Sequence, residues 1–423
     1  MKHLKLLLIF FTYTIYGQTW QTTSIPPNAN GQRFDDVFFL TDALGWAANG
    51  YYASVYKTVD GGITWTEQLN ESMLGGNYYF RNIEFLNSDI GFLGTLNGKV
   101  FSTSDGGANW SEILNIAPNP PAICGFSAIG SSTVYGCGAY FSPAYIIKST
   151  DSGTTWNYID MSPHANTLVE IKFLTEAMGF ACGSNNSGAI ILKTTDGGSS
   201  WTEIFNSNIP GEYVWKLQIL EDSPNVLFGA VSSVSPFNGK LIKSTDNGIN
   251  WNSYDAPETD IQAVGFINEN VGWMGGHTTG FYETVNGGLS WTSLNIGSNL
   301  NRIFIINSSL AYASGTSIYK FTDETLDTDS VSENPSKSLS IQLHNNPVTS
   351  VLKLSIYFPS NDNMLIELYD SKGSYIRQLS REIITSSKIQ KEYSFPVDDL
   401  PTGIYYINFH NNFQRQSLKF IKQ

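Results

Sequence analysis

The chain has 423 residues, of which 41% are hydrophobic, 13% aromatic and only 14% charged, where soluble proteins average about 25% charged. Its 38 Gly, 25 Phe, 22 Tyr and 10 Trp supply turn formers and large flat side chains, which favours β structure and excludes disorder and coiled coil. A net charge of -13 excludes a nucleic-acid-binding surface, because neutralising phosphates needs clustered Lys and Arg that are scarce here.

Residues 1–17, MKHLKLLLIFFTYTIYG, start basic at Lys2 and Lys5, run apolar from Leu6, and end on a small residue. That pattern predicts a secretory signal peptide cleaved after Gly17. Its apolar run is too short to span a bilayer, and no later stretch approaches the roughly 18 apolar residues a spanning helix needs, so no transmembrane segment is expected. The three cysteines, Cys124, Cys137 and Cys182, are too few for a disulfide scaffold. Strands over 122–129 and 132–139 would set Cys124 and Cys137 face to face, which leaves a single bridge or three buried thiols as alternatives.

One motif recurs six times: KTVDGGITW ending at Trp65, STSDGGANW at Trp110, KSTDSGTTW at Trp156, KTTDGGSSW at Trp201, KSTDNGINW at Trp251 and ETVNGGLSW at Trp291. The spacing, about 45 residues, is that of one four-stranded propeller blade. Asp60, Asp105, Asp151, Asp196 and Asp246 are suited to accept backbone N–H groups in a hairpin turn, with Asn286 as an uncharged substitute in the sixth copy. Between boxes, apolar strands precede Gly-aromatic steps such as Gly45-Trp46, Gly91-Phe92, Gly179-Phe180 and Gly272-Trp273. A seventh unit starts at Arg302 and runs out of box near Asp323, while Trp20 to Ile25 looks like a post-box strand with no box before it. Together they predict a seven-bladed ring over 18–325, closed by the N-terminal strand.

The motif resembles the Asp-box of BNR and sialidase-type propellers. The short, regular blades are also similar to those of the photosystem II assembly factors, a family that binds protein without catalysis. The resemblance implies that the boxes, with Trp65, Trp110, Trp156, Trp201, Trp251 and Trp291, are structural and lie on the outer rim.

Residues 326–340 turn polar and acidic and read as a linker. Residues 341–423 alternate in six short strands, the pattern of a small β-sandwich. Asn346-Pro347-Val348, Leu368-Tyr369-Asp370-Ser371-Lys372-Gly373, Leu400-Pro401-Thr402-Gly403-Ile404-Tyr405 and Leu418-Lys419-Phe420-Ile421-Lys422 resemble the type A C-terminal sorting domain of the type IX (Por) secretion system. Here Asn346, Pro347, Asp370, Gly373, Gly403, Tyr405 and Lys419 are the matching positions, and His344-Asn345 departs from the family's usual aromatic and Pro. The resemblance implies handling by the secretion machinery and a secreted or cell-surface destination.

The expected class is therefore all-β: a seven-bladed propeller followed by a small β-sandwich. Aligning the blades on their first strand puts Asp36, Asn82, Gly125, Glu170, Lys216, Ala263 and Arg302 at one position over the central channel. Arg33, Arg81 and Arg302 are the propeller's only arginines; on blades 1, 2 and 7 they read either as solvated or salt-bridged side chains of the channel wall or as exposed cations, without evident partners, for an anion or acidic peptide. With Asp36, Glu170 and Lys216 they form the candidate binding set for an extracellular protein or glycan. No catalytic residue, cofactor or metal site is assigned, and a monomer is expected. A glycoside hydrolase is the alternative: the Arg-Ile-Pro start of sialidases is absent, but paired acids such as Asp35-Asp36 and Glu170 are present, as xyloglucanase-type sites require.

Overall fold

The computed structural model describes residues 18–23, 27, 31–138, 143–322, 340–344, 347–358, 362–370, 375–385, 389–410 and 415–423. The expected signal peptide, linker positions 326–339, Asn346 and Gly373 lie outside them. Two compact units divide the chain, Met1–Thr328 and Asp329–Gln423.

The first unit is a seven-bladed β-propeller. Its inner strands are Phe34–Phe39, Phe80–Phe85, Gly125–Ile129, Thr167–Phe173, Tyr213–Ile219, Ile261–Phe266 and Arg302–Asn307, each leading a four-stranded antiparallel sheet. The outer strand of blade 7 is Thr19–Thr22, paired with Ile318–Thr322 in the register Trp20 to Phe321. Among the described residues the only helix is one turn, Glu71–Leu74, capped by Asn70.

Packing between blades repeats one device. An aromatic side chain on the second strand of one blade stacks on the last Phe of the next inner strand: Trp46 on Phe85 at 3.5 Å, Tyr135 on Phe173 at 3.6 Å, Phe228 on Phe266 at 3.9 Å. Tyr312 of blade 7 stacks on Phe39 of blade 1 at 3.5 Å, so the closing seam uses the same contact as the internal ones. Where a glycine precedes the aromatic, as Gly45 and Gly91 do, the Phe ring of the same blade lies over it; a Cβ there would strike the ring of Phe39 or Phe85.

The boxes close their turns on themselves. Thr58 Oγ1 donates to Asp60 Oδ1 at 2.8 Å and accepts from Gly62 N at 2.9 Å, while Asp60 Oδ1 also accepts from Thr64 N at 2.9 Å. Asn286 Oδ1 likewise accepts from Thr284 Oγ1 and Ser290 N, while its Nδ2 donates to Ser290 Oγ. The turn needs two residues at positive φ, met by Gly61 and Gly62 in the first box but by Ser152 (φ 58) and Asn247 (φ 61) at the first position of two others. Trp156 and Trp201 are buried, whereas Trp65, Trp110, Trp251 and Trp291 are half-buried.

The lysine that opens four of the boxes has a role the sequence did not disclose. Lys57 donates to the carbonyl of Gly106 at 2.9 Å and Lys148 to that of Gly197 at 2.8 Å, both in the next blade's box; Lys193 reaches Asn247 O at 3.2 Å. Each lies over an aromatic ring of its own blade, 5.1 to 5.6 Å from the centroid.

In the second unit, Ser340–Leu343, Val351–Phe358 and Ile389–Pro396 form one sheet, and Tyr375–Ile384, Asp362–Asp370, Gly403–His410 and Arg415–Lys422 the other. Alternate residues Leu352, Leu354, Ile356 and Ile366, Leu368, Ile407 fill one core, the period of two expected of half-buried strands. Ser340, expected in the linker, already belongs to the first strand. Val348 donates to Ile421 O at 2.7 Å and accepts from Gln423 N at 2.8 Å, so the segment after Pro347 is tied to the chain end.

Cys137 stands opposite Gly125 rather than Cys124, one residue out of the register a bridge requires, and the Cys124–Cys137 disulfide is not formed.

Trp20 is buried between Phe281, stacked at 4.2 Å, and Trp273, edge-on at 5.5 Å. Trp20→Ala should lower the unfolding free energy by about 3–5 kcal/mol, measured by urea denaturation; a shift of a few tenths would mean the N-terminal strand does not close the ring.

Candidate functional site

Each inner strand turns one edge to the channel, where its backbone groups have no ladder partner. Side chains of the preceding blade supply the bonds: Asp36 Oδ2 accepts from Ile83 N at 2.9 Å, Glu84 Oε1 from Ala128 N at 3.2 Å, Ser127 Oγ from Phe173 N at 3.0 Å, and Gln218 Oε1 from Phe266 N at 2.6 Å. Much of the polar channel wall therefore serves the fold.

Asp36, Asn82, Gly125, Glu170, Lys216, Ala263 and Arg302 share one rank, facing Ala48, Gly94, Cys137, Cys182, Ala230, Gly275 and Ser314 of their second strands. Five of them are joined in one buried network, Asn82 by donating to Asp36 Oδ2 and the other four by ion pairs. Arg302 reaches across from blade 7 to Glu170 of blade 4, Nη1 to Oε1 at 3.2 Å, and holds Asp36 of blade 1 with Nε at 3.2 Å. Lys216 of blade 5 takes the other oxygen of Glu170 at 2.6 Å.

The expectation of exposed, partnerless arginines is corrected here. Arg302 and Arg81 are each 5% exposed. Arg33 and Arg81 share Asp35 Oδ1, at 3.0 and 3.3 Å, and Arg33 Nη1 also donates to Gln262 at 2.7 Å and Asn299 at 3.1 Å. Nor do the three form one cluster, since Arg302 lies a rank deeper with Asp36. A narrow channel brings carboxylates of distant blades within reach, and a separation of 132 residues hides such a pair from sequence reading.

Electrostatics follow from burial set against these pairs. Burial alone would push the Glu170 carboxyl up, but Lys216, Arg302 and Lys172 hold it at about 2. Burial outweighs the pull of Glu170 on Lys216 and lowers its pKa, whereas Asp36 and Glu170 overcome burial at Arg302 and raise it. Glu84 is raised, mainly by burial.

Above that rank five inner strands bulge at the same place. Their register slips between Phe34 and Asp36, Phe80 and Asn82, Leu168 and Glu170, Val214 and Lys216, and Ile261 and Ala263. The extra residues are Asp35, Arg81, Val169, Trp215 and Gln262, and a bulge frees a side chain to be re-aimed. Arg81, Trp215 and Gln262, with Arg33, Tyr79 and His277, line a cavity of about 190 Å³ at this mouth, and the Arg81 guanidinium lies 5.7 Å from the Trp215 ring centre. The sequence reading missed Tyr79, Trp215, Gln262 and His277, because the bulge interrupts the period-two pattern at one residue only.

At the other mouth, beside the hairpins that carry the boxes, a second cavity of about 290 Å³ has Glu170, Lys172, Lys216 and Arg302 as its floor. Among the described residues, no three His, Cys, Asp or Glu side chains converge to hold a metal ion.

Residues 13–157 match the family model described as photosynthesis system II assembly factor YCF48, and residues 342–423 that of the secretion system C-terminal sorting domain. The tail is a sorting domain. It indicates secretion or attachment at the outer-membrane surface, and among the described residues no helix is long and apolar enough to cross a membrane. Similar solved structures include YCF48 bound to D1 peptide (18% identity, TM-score 0.55, covering 74% of this chain and 98% of that one) and YCF48 from Cyanidioschyzon merolae (20%, 0.57, 72% and 98%). The WD40 β-propeller domain of Doa1 is similar in fold at 11% identity, TM-score 0.53, covering 73% and 98%. No curated protein matches the sequence.

Removing the Glu170 charge would leave Lys216 buried without its carboxylate and Arg302 with Asp36 alone. Glu170→Gln should therefore cost about 3–5 kcal/mol at neutral pH in chemical denaturation. Because the folded pKa, about 2, lies below the ordinary 4.5, the carboxylate's contribution is complete above pH 4.5 and disappears as pH falls toward 2. The wild type should lose stability over that window more steeply than Glu170→Gln, and parallel acid profiles would contradict the assignment.

Proposed function

We propose that the protein is an exported, surface-displayed propeller that binds an extracellular protein segment at the channel mouth formed by Arg33, Tyr79, Arg81, Trp215, Gln262 and His277, with no reaction of its own. One observation carries the reading. Positions that build the ring repeat from blade to blade, as the box Asp, Gly and Trp do, while the bulge rank holds an acid, a guanidinium, a valine, an indole and an amide. The rank beneath is as varied, but its charges pair with one another across the channel, whereas Arg81, Trp215 and Gln262 line a cavity at the mouth.

Support also comes from the solved relative holding a peptide. The carboxylates of the hydrolase alternative favour binding: Asp36 and Glu170 are both committed to Arg302, and Glu170, held at about 2, stays ionised and cannot act as the general acid. The box carboxylates are spent on their own turns. A glycan is the second reading, favoured by the Trp215 indole beside the hydrogen-bonding Gln262 and His277.

Affinity capture from the cell envelope tests this: Trp215→Ala and His277→Ala should lose the partner that wild type retains. Retention by both, or turnover of fluorogenic glycosides by the wild type, would contradict it, and a captured glycan would select the second reading. The tail supplies a further expectation. Because residues 342–423 have their own core, deleting them should leave a folded propeller in the periplasm; equal abundance in the medium would show that the address lies elsewhere.

A further inference from the structure

The cavity on the box side of the channel is chemically unlike the mouth just described. Its floor carries three cations, Lys172, Lys216 and Arg302, around Glu170, and because Arg302 also holds Asp36, one positive charge is in excess, at Lys172. Lys216 and Arg302 are 5% exposed and bonded to that carboxylate at 2.6 and 3.2 Å. Lys172 differs. Its Nζ stands 3.9 Å from Glu170 Oε1, beyond hydrogen-bond length, and its side chain is 23% exposed.

The walls above are apolar: Leu217, Ile219, Val264, Ile303 and Phe304 line the same cavity. At the lip stand Glu221 and Asp222, both exposed. A cationic floor, a greasy shaft and an acidic lip select a ligand with one negative charge at its leading end and an apolar body behind. The lip repels a polyanion, and of the polar residues that also line the cavity Gln218 is spent on the Phe266 backbone, while Asn307 and Ser308 are exposed. Arg302 and Glu170 bridge the channel at the floor, 3.2 Å apart.

We propose that this cavity binds a small amphiphilic carboxylic acid, its carboxylate on Lys172 and its alkyl or aryl body against Phe304 and Ile303. The volume, about 290 Å³, sits at the lower end of small-molecule pockets, which suits a medium-chain acid rather than a peptide. The charge-assisted bond to Lys172 replaces an ion pair that is longer than a hydrogen bond, so little is lost on binding.

The test uses the full chain and two probes, the apolar anion anilinonaphthalene sulfonate as a fluorescent reporter and octanoate as its competitor, with octanamide as the uncharged control. Octanoate should displace the reporter about tenfold more effectively than octanamide, the value of one charge-assisted contact. Lys172→Gln should remove that preference, and Trp215→Ala, at the opposite mouth, should keep it. Absence of saturable reporter binding, equal displacement by the two competitors, or loss of the preference in Trp215→Ala would each overturn the proposal. The competitor pair reads charge selectivity on the wild type and does not depend on any variant folding. Failure here would leave the protein-binding mouth untouched, since its test rests on Trp215 and His277.

Discussion

Glu170 sits in mid-channel with Lys216 of the neighbouring blade on one oxygen and Arg302, from the far side of the ring, on the other. Arg302 also holds Asp36, so blades 1, 4, 5 and 7 meet in one network with little access to water. Burying such ions costs several kcal/mol each, and an apolar plug would do as well for stability alone. What the network adds is discrimination. The stacks and boxes between neighbours are nearly interchangeable and would suit rings of other sizes, but Arg302 meets Glu170 only when the intervening blades number what they do.

The same network divides the channel. It separates a mouth of aromatic and polar side chains from a cavity with a cationic floor. Arg33 is held by Asp35, Gln262 and Asn299, so its guanidinium is oriented before any ligand arrives, which lowers the ordering cost of binding. On the rim the work is different. Stacked rings and lysines that donate to the next blade's box join neighbours, and the box carboxylates are consumed by their own turns.

The ring was legible because its determinants are local and repeated: a Ser/Thr, Asp and Gly within a turn, a Gly opposite a Phe, a Trp at fixed spacing. Even the shared channel rank of Asp36, Glu170, Lys216 and Arg302 followed from aligning first strands. Their partners did not, because which residues meet across a closed ring depends on the blade count and the channel width, quantities no local pattern encodes. Lys57 and Lys148 were visible in the motif, yet their acceptors are backbone carbonyls of the following box, which carry no sequence signal at all. In the tail, period-two alternation gave the strands, while Ser340–Leu343 was masked by the polar composition around it.

The bulges explain why function settles where it does. A residue in the inner strand proper must satisfy a ladder, a neighbour's edge and a packing partner at once; Asp36 caps Ile83, bonds Asn82 and pairs with Arg302, and any change there is felt by the fold. A bulged residue is the extra one of two opposite a single partner, so its side chain is released from pairing duties. Arg81, Trp215 and Gln262 are thereby aimed at the mouth, while Asp35 is held between Arg33 and Arg81. The boxes repeat because they build the rim; the two channel ranks do not, one spending its variety on the buried network and the other on the mouth.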